Sequence, residues 1–337
     1  MEPIVLWQTK WSHGPYVPMY LFFGGLTTGV FITAVLADLV GIGARRFRPL
    51  SRVGAYCAVL TLALAGFFLT VHLGKPERGL AFPVFFTNYN SWMTRGGWVV
   101  GAASPLVVLY AALWFFGARA WLRRLVGVIG IPFLILLAVY TGLLLSHAGF
   151  VPLWSKKFLP VIFLNSGLTT GLAAAGLVFL LAWPWLRRAN DHRLADPYGT
   201  LFWVSLAVVA AILLELYELK NFMAHLQATD QRVPTGHYVA PKGGRLAYEY
   251  VTQGALAPWF WKGIIGLGLL VPLGLTVVEW VLRLVLRPWE RAVAAVKFAS
   301  ILVGGAILRF VIVWGGNLKA PLDFPPSKWP IPPLAGG

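Results

Sequence analysis

Cysteine is nearly absent from this sequence, and charge is scarce. One cysteine, Cys57, occurs in 337 residues. A single thiol excludes an internal disulfide, a cysteine-ligated zinc and a cysteine-held iron–sulfur cluster within the chain. Charged residues make up 12% of the sequence, against about 25% in a soluble domain. Acids are the scarcest class: 12 Asp and Glu stand against 28 Lys and Arg, a formal net charge of +16. In place of charge there are 58% hydrophobic residues and a mean hydropathy of +0.72. The chain therefore reads as an integral membrane protein. Its apolar segments are long and continuous, which indicates helices and not the short alternating strands of a barrel. The positive balance fits loop arginines that set orientation better than a nucleic-acid surface. Any electrons passing through must be carried by a quinone, a haem or another subunit.

Eight spans are predicted, at Val17–Gly43, Val53–Val71, Gly96–Gly117, Leu125–Leu145, Phe158–Trp185, Tyr198–Leu219, Trp259–Leu282 and Val293–Trp314. Residues 1–16 are polar and lack the basic stretch and cleavage site of a signal peptide. The segment 220–258 reads as a long polar outer loop, and 315–337 as a Pro-rich outer tail. Loops after the odd-numbered spans hold 14 basic residues: Arg45, Arg46, Arg48, Arg52, Arg119, Arg123, Arg124, Arg187, Arg188, Arg193, Arg283, Arg287, Arg291 and Lys297. The other side, leaving aside the long loop, holds 8: Lys10, Lys75, Arg78, Arg95, Lys156, Lys157, Lys319 and Lys328. The bias places both termini outside the cytoplasm.

The pentapeptide Gly-Leu-Thr-Thr-Gly opens the first span at Gly25–Gly29 and the fifth at Gly167–Gly171, 142 residues later. Both spans run in the same direction. A duplication would make the chain two parallel four-helix bundles, 17–154 and 155–314. Small-residue faces also recur in membrane helices simply because they let backbones approach.

Ionisable groups within spans are costly, so each is a candidate for function. Tyr140 and His147 interrupt the end of Ile131–Trp154. Seven residues apart, they share a helical face about 10 Å in length. A phenol and an imidazole so placed can hold the two carbonyls of a quinone headgroup. Equally, Tyr140 can bond a neighbouring helix while His147 meets interfacial water. His72 ends the second span, and Arg309 lies near the outer end of the eighth. Glu215 and Glu218, three apart on one face of the sixth span, suit either proton transfer or an ion pair with Arg309. Asp38 and Glu279 lie on the inner side. The segment His72–Gly97 sets Lys75, Arg78 and Arg95 beside Phe82, Phe85, Phe86 and Trp92. Such a surface can stabilise a quinone as it gains negative charge, dock an acidic partner, or anchor in headgroups. The long loop can cap the site or touch a partner.

Several stretches are similar to the NrfD/polysulfide-reductase membrane-subunit family. They are PYVPMYLFFGGLTTG at Pro15–Gly29, HLGKPERG at His72–Gly79, SWMTRG at Ser91–Gly96, and Tyr140-Thr-Gly followed by Trp154. The last is RFVIVWGGNLK at Arg309–Lys319. The resemblance implies a quinone-reactive anchor of eight or more helices without haem. Its partners would be an iron–sulfur subunit of four-cluster ferredoxin type and a molybdopterin catalytic subunit, in the plasma membrane. It implies a menaquinone or ubiquinone at the outer face of the first bundle, with Tyr140 matching the tyrosine that contacts it. Tyr20 and Val17 fall where a relative has quinone-binding His and Asn, so His13 or His72 takes the vacated role. His72 also stands where many relatives carry an acid, which favours an imidazole as proton acceptor.

The resulting expectation is an all-α, eight-span quinone-binding subunit of a respiratory oxidoreductase. Tyr140, Tyr20, His13, His72, His147 and Arg95 would surround the headgroup, and His72, Glu215 and Glu218 would carry protons. The alternatives are a di-haem cytochrome b-type anchor, for which His72 and His147 lack an inner partner pair, and a proton-coupled transporter built on the repeat.

Overall fold

The computed structural model describes residues 14–72, 88–148, 151–189, 198–228, 243–285 and 290–316. Those residues are helical with short turns, and they contain eight helices long and apolar enough to cross a membrane. In chain order the helices are α1 (Tyr16–Val40), α2 (Arg48–His72, entered through a 3₁₀ turn at Arg45–Phe47), α3 (Trp92–Phe115), α4 (Ala120–Ser146), α5 (Leu159–Ala189) and α6 (Tyr198–Ala228). A short α7 (Gly243–Thr252) precedes α8, which is wound as a π-helix over Trp259–Leu270 and as an α-helix over Val271–Val285. α9 (Glu290–Gly315) closes the bundle. Below, the end at which α1 starts is called proximal and the opposite end distal.

Every predicted span is present, with shifted ends. α2 begins five residues before Val53, because Pro49 sits in its first turn, where a proline costs no hydrogen bond. α6 runs nine residues past Leu219 through Lys-Asn-Phe-Met-Ala-His-Leu-Gln-Ala. The apolar run stops at Leu219, but mostly good helix formers carry the winding onward. The start of the expected polar loop is therefore helix, and α7 is a second helix inside it.

α1 and α5 are the centre. In α1, 83% of the apolar window is buried, and in α5 67%, against 22% in α3. α1 packs on α2, α4 and α5, while α5 packs on α1, α4, α6 and α9. The two Gly-Leu-Thr-Thr-Gly segments lie on one another. A Cβ on Gly29 would sit 2.9 Å from the Gly171 Cα and overlap the Gly167 carbonyl. A Cβ on Gly167 would sit 2.8 Å from the Gly25 carbonyl oxygen. Only glycine lets the backbones come this close. The threonines between turn inward and spend their hydroxyls on backbone carbonyls: Thr28 on Leu134 (2.9 Å) and Thr170 on Ser166 (2.7 Å). Trp154, after α4, donates its indole N–H to the Ile312 carbonyl at 2.8 Å and ties that turn to α9.

Two buried ion pairs stand toward the distal end. Arg123 grips Asp38 with two hydrogen bonds, Nε to Oδ2 at 2.6 Å and Nη2 to Oδ1 at 2.8 Å. The guanidinium of Arg123 lies 3.6 Å from the Trp114 ring centre, and Arg124 approaches the same carboxylate at 3.6 Å. On the other side of the bundle Lys297 bonds to Glu279 and, at 2.7 Å, to Ser205. Both acids predicted on this side are thus paired.

Gly171→Ala is expected to force α1 and α5 apart and to destabilise the chain by about 1–3 kcal/mol, the cost of overpacking. Thermal unfolding of the purified protein in detergent checks this. An unchanged midpoint would show that the crossing is loose.

Candidate functional site

The proximal end gathers two sets of polar side chains. The first lies between α1, α3 and α4. Tyr140 projects from the last turns of α4 and is 6% exposed; Tyr20, in the second turn of α1, is 7% exposed. The two phenols are electrostatic neighbours. The Tyr140 ring rests directly on Gly96 of α3, leaving no room for a side chain there. Neither phenol hydroxyl forms a hydrogen bond among the described residues. Thr94, in the first turn of α3, is fully buried and its hydroxyl is likewise unbonded among them. A stacked pair, Phe23 on α1 and Phe68 on α2, lines the adjacent wall with ring centres 5.6 Å apart and planes 6° from parallel.

A buried hydroxyl without a partner, as that of Thr94 is among the described residues, costs about 1–3 kcal/mol. Phenol hydroxyls beside flat aromatic rings suit a planar carbonyl compound such as a quinone.

The predicted partners of Tyr140 divide. His147 caps α4 and is exposed, its ring 5.9 Å from that of Trp92. The Arg95 guanidinium lies 5.2 Å from the Trp92 ring, and Arg95 Nε donates to the Tyr89 carbonyl at 2.9 Å. His147, Trp92 and Arg95 thus form a row on the rim, apart from the buried phenols. His147 continues the helical turn of α4, its N–H bonded to the Leu143 carbonyl at 3.1 Å, so it stays on the helical lattice that carries Tyr140 while its ring stands exposed. His72 is the last residue of α2 and is partly exposed. His13 lies outside the described residues, as do Lys75 and Arg78.

The second set lies between α5, α6, α8 and α9. Glu215 is 3% exposed, with the hydroxyls of Ser166 and Thr169 beside its carboxylate. Glu218, one turn on, is partly exposed; Asn165 is its neighbour, and its Oε2 is unbonded among the described residues. A small cavity with room for about one water opens against Glu215, Ser166, Thr169 and Thr170. Its apolar wall comes from the π-wound part of α8 and from Ile301, Gly304 and Gly305 of α9.

The anticipated ion pair between these glutamates and Arg309 does not form among the described residues. Arg309, 2% exposed, donates Nη2 to the Phe163 carbonyl at 3.0 Å and lies 4.1 Å from the Phe163 ring centre. Its Nε and Nη1 have no partner among the described residues. It reaches Glu215 only as an electrostatic neighbour. The reason is position: Arg309 is wedged beside Gly25 at the α1–α5 crossing, where a Cβ on Gly25 would be 3.2 Å from its Nη2. Sequence reasoning missed Asn165, Ser166 and Thr94. The available signal was their presence as polar residues at the mouths of apolar spans.

Eight long apolar helices define a multi-pass membrane protein. The chain belongs to the family described as Polysulphide reductase, NrfD, whose model matches residues 7–321. That agrees with the resemblance carried by its motifs. It is 28% identical over 335 residues to Protein NrfD of Escherichia coli, covering 90% of this chain and 94% of that one. It is 27% identical over 282 residues to the C component of the polysulfide reductase of Wolinella succinogenes, covering 79% and 82%. It is 21% identical over 349 residues to the C component of the selenate reductase of Mesobacillus selenatarsenatis, covering 90% and 73%.

Gly96→Ala is expected to drive the Tyr140 ring from its place at a cost of about 1–3 kcal/mol. Adding Tyr140→Ala should recover part of the loss and Tyr140→Phe none, because the overlap involves the ring. Thermal unfolding of the three variants distinguishes these outcomes.

Proposed function

We propose that this chain is the quinone-reactive membrane subunit of a respiratory oxidoreductase complex, exchanging electrons between the membrane quinone pool and a docked iron–sulfur subunit. The observation that carries this reading is the pair of neighbouring buried phenols, Tyr20 and Tyr140, near the stacked rings of Phe23 and Phe68. Family membership supports it, as do two relatives named as components of polysulfide and selenate reductases. The partner would be of four-cluster ferredoxin type, with a molybdopterin subunit beyond it. The quinone would be a menaquinone or a ubiquinone.

A bound quinol supplies two electrons and two protons. The chain's own residues hold and steer it. Tyr140 and Tyr20 would donate hydrogen bonds to the headgroup oxygens, with Phe23 and Phe68 as an apolar wall that keeps water from the ring. Arg95, on the rim, favours any negative charge that develops nearby. The imidazole of His72 is a group that can take up and release a proton. Glu215 and Glu218 offer a second route for protons.

The arginine bias supports a non-cytoplasmic side for the proximal end and both termini. The crossing of the two identical pentapeptides supports the division into two parallel four-span halves, α1–α4 and α5–α9.

In the assembled complex, Tyr140→Phe removes one hydrogen bond to the headgroup. It should raise the KM for quinol about fivefold, as expected for a bond of about 1 kcal/mol. Tyr20→Phe should act similarly, and His72→Ala should lower turnover at neutral pH. Full quinol-dependent turnover in all three variants would overturn the assignment.

A further inference from the structure

The second distal ion pair has no part in quinone binding, and its chemistry differs from that of the first. In the first half, the cation near the start of the last helix is Arg123, which never gives up its proton. In the second half it is Lys297, which can. Lys297 is 0% exposed, Glu279 3% and Ser205 0%. The lysine ammonium donates to Ser205 and Glu279, and the Phe298 ring lies 4.7 Å away. Toward the distal surface stand Arg291, bonded to Tyr198 at 2.9 Å, and Arg283 over Phe202. A buried pair of this kind gives little stability that well-packed apolar residues could not, and ionisable groups inside a membrane commonly mark ion or proton paths.

The three helices that supply this triad also wall the Glu215 cavity, and they do so along continuous faces. On α9, Lys297 is followed at i+4 by Ile301 and at i+7 and i+8 by Gly304 and Gly305, all three lining the cavity. Lys297 and Gly304 are about 10 Å apart along the axis. On α6, Ser205 and Glu215 are separated on one face by Val208 and Ile212, both fully buried. On α8, buried Thr276 lies one turn from Glu279 on the way to Gly268 and Leu269, which line the cavity. Between triad and cavity the polar path is interrupted by apolar side chains, Val208 and Ile212 on α6 and Ile301 on the lysine's own stripe of α9.

We propose that the second half of the chain is a transmembrane proton route, with Lys297–Glu279–Ser205 as the distal loading site, Ile301 as the plug and the Glu215 cavity as the receiving site. In one cycle the Lys297 ammonium loses a proton, passed by water once Ile301 moves aside, to the Glu215 carboxylate. The neutral amine then takes a proton from the distal side. Glu215 passes its proton to Glu218, which is partly exposed at the proximal end. One proton crosses and no electron moves. The proposal shares with the reading above only the use of the Glu215–Glu218 face for protons, and it requires no quinone.

The test uses the full-length protein in lipid vesicles, with proton influx driven by a potassium–valinomycin potential and read by an internal pH dye. Ile301→Ser should open a proton leak about fivefold above that of the unaltered protein, and adding Lys297→Arg should return it to the unaltered level. Arginine keeps the charge and the partner but cannot release the proton. An Ile301→Ser variant no leakier than the parent would overturn the proposal, as would a leak that Lys297→Arg leaves unchanged. Because no quinol is present, this result is independent of the turnover experiment on Tyr140.

Discussion

The contact of α1 with α5 through two identical glycine-flanked segments is the constraint on which the other positions depend. Backbone meets backbone at Gly25, Gly29, Gly167 and Gly171. In a bilayer there is no hydrophobic gain from pressing two apolar helices together, so close packing and local hydrogen bonds must do it. The crossing sets the spacing of everything around it. It brings Thr28 to α4 and Thr170 to α9. It also leaves one gap wide enough for a guanidinium, and Arg309 fills it. Arg309 therefore serves the crossing and Phe163, and the glutamates on α6 keep their carboxylates for other partners.

Toward the distal end Asp38 and Glu279 each have a cation, and the cations carry bidentate or multiple bonds. Among the described residues, buried polar atoms without a partner occur at both ends: the Thr94 and Ser166 hydroxyls, one Glu218 oxygen and two Arg309 nitrogens toward the proximal end, and the Trp114 and Trp280 indole nitrogens and Arg124 Nε toward the distal end. Burying such groups without compensation works against folding by several kcal/mol in all. A protein retains that cost where a ligand, water or proton completes the bonding. The distal pairs hold the scaffold, and one of them contains a residue able to change its charge.

Much of this was readable from residue order. The eight spans follow from apolar run length, and the repeated pentapeptide pointed to the two helices that meet at the centre. Tyr140 stood out as a lone phenol in an apolar helix, and it is buried. Errors arose where a side chain's fate depends on a helix end or on a neighbour distant in sequence. His147 keeps the helical turn that carries Tyr140, but its exposure at the rim follows from where the span ends. Glu215 and Arg309 lie at matching depths, but depth along two helices does not say that the crossing at Gly25 will claim the arginine. The pairing of Lys297 with Ser205 and Glu279 spans three helices, and no local pattern announces it. The winding of α8 is similarly silent, since Trp259–Leu270 reads as ordinary apolar helix.

That winding carries a consequence for how the span tolerates change of length. A π-wound stretch fits an additional residue into each turn. Deleting one residue from an α-helical span rotates everything beyond it by about 100° and turns its buried face toward lipid. Within Trp259–Leu270 a shortened backbone can instead tighten to α-helical turns while Glu279 and Thr276 keep their facing. α8 is thus a span that can lose a residue with little disturbance to its neighbours.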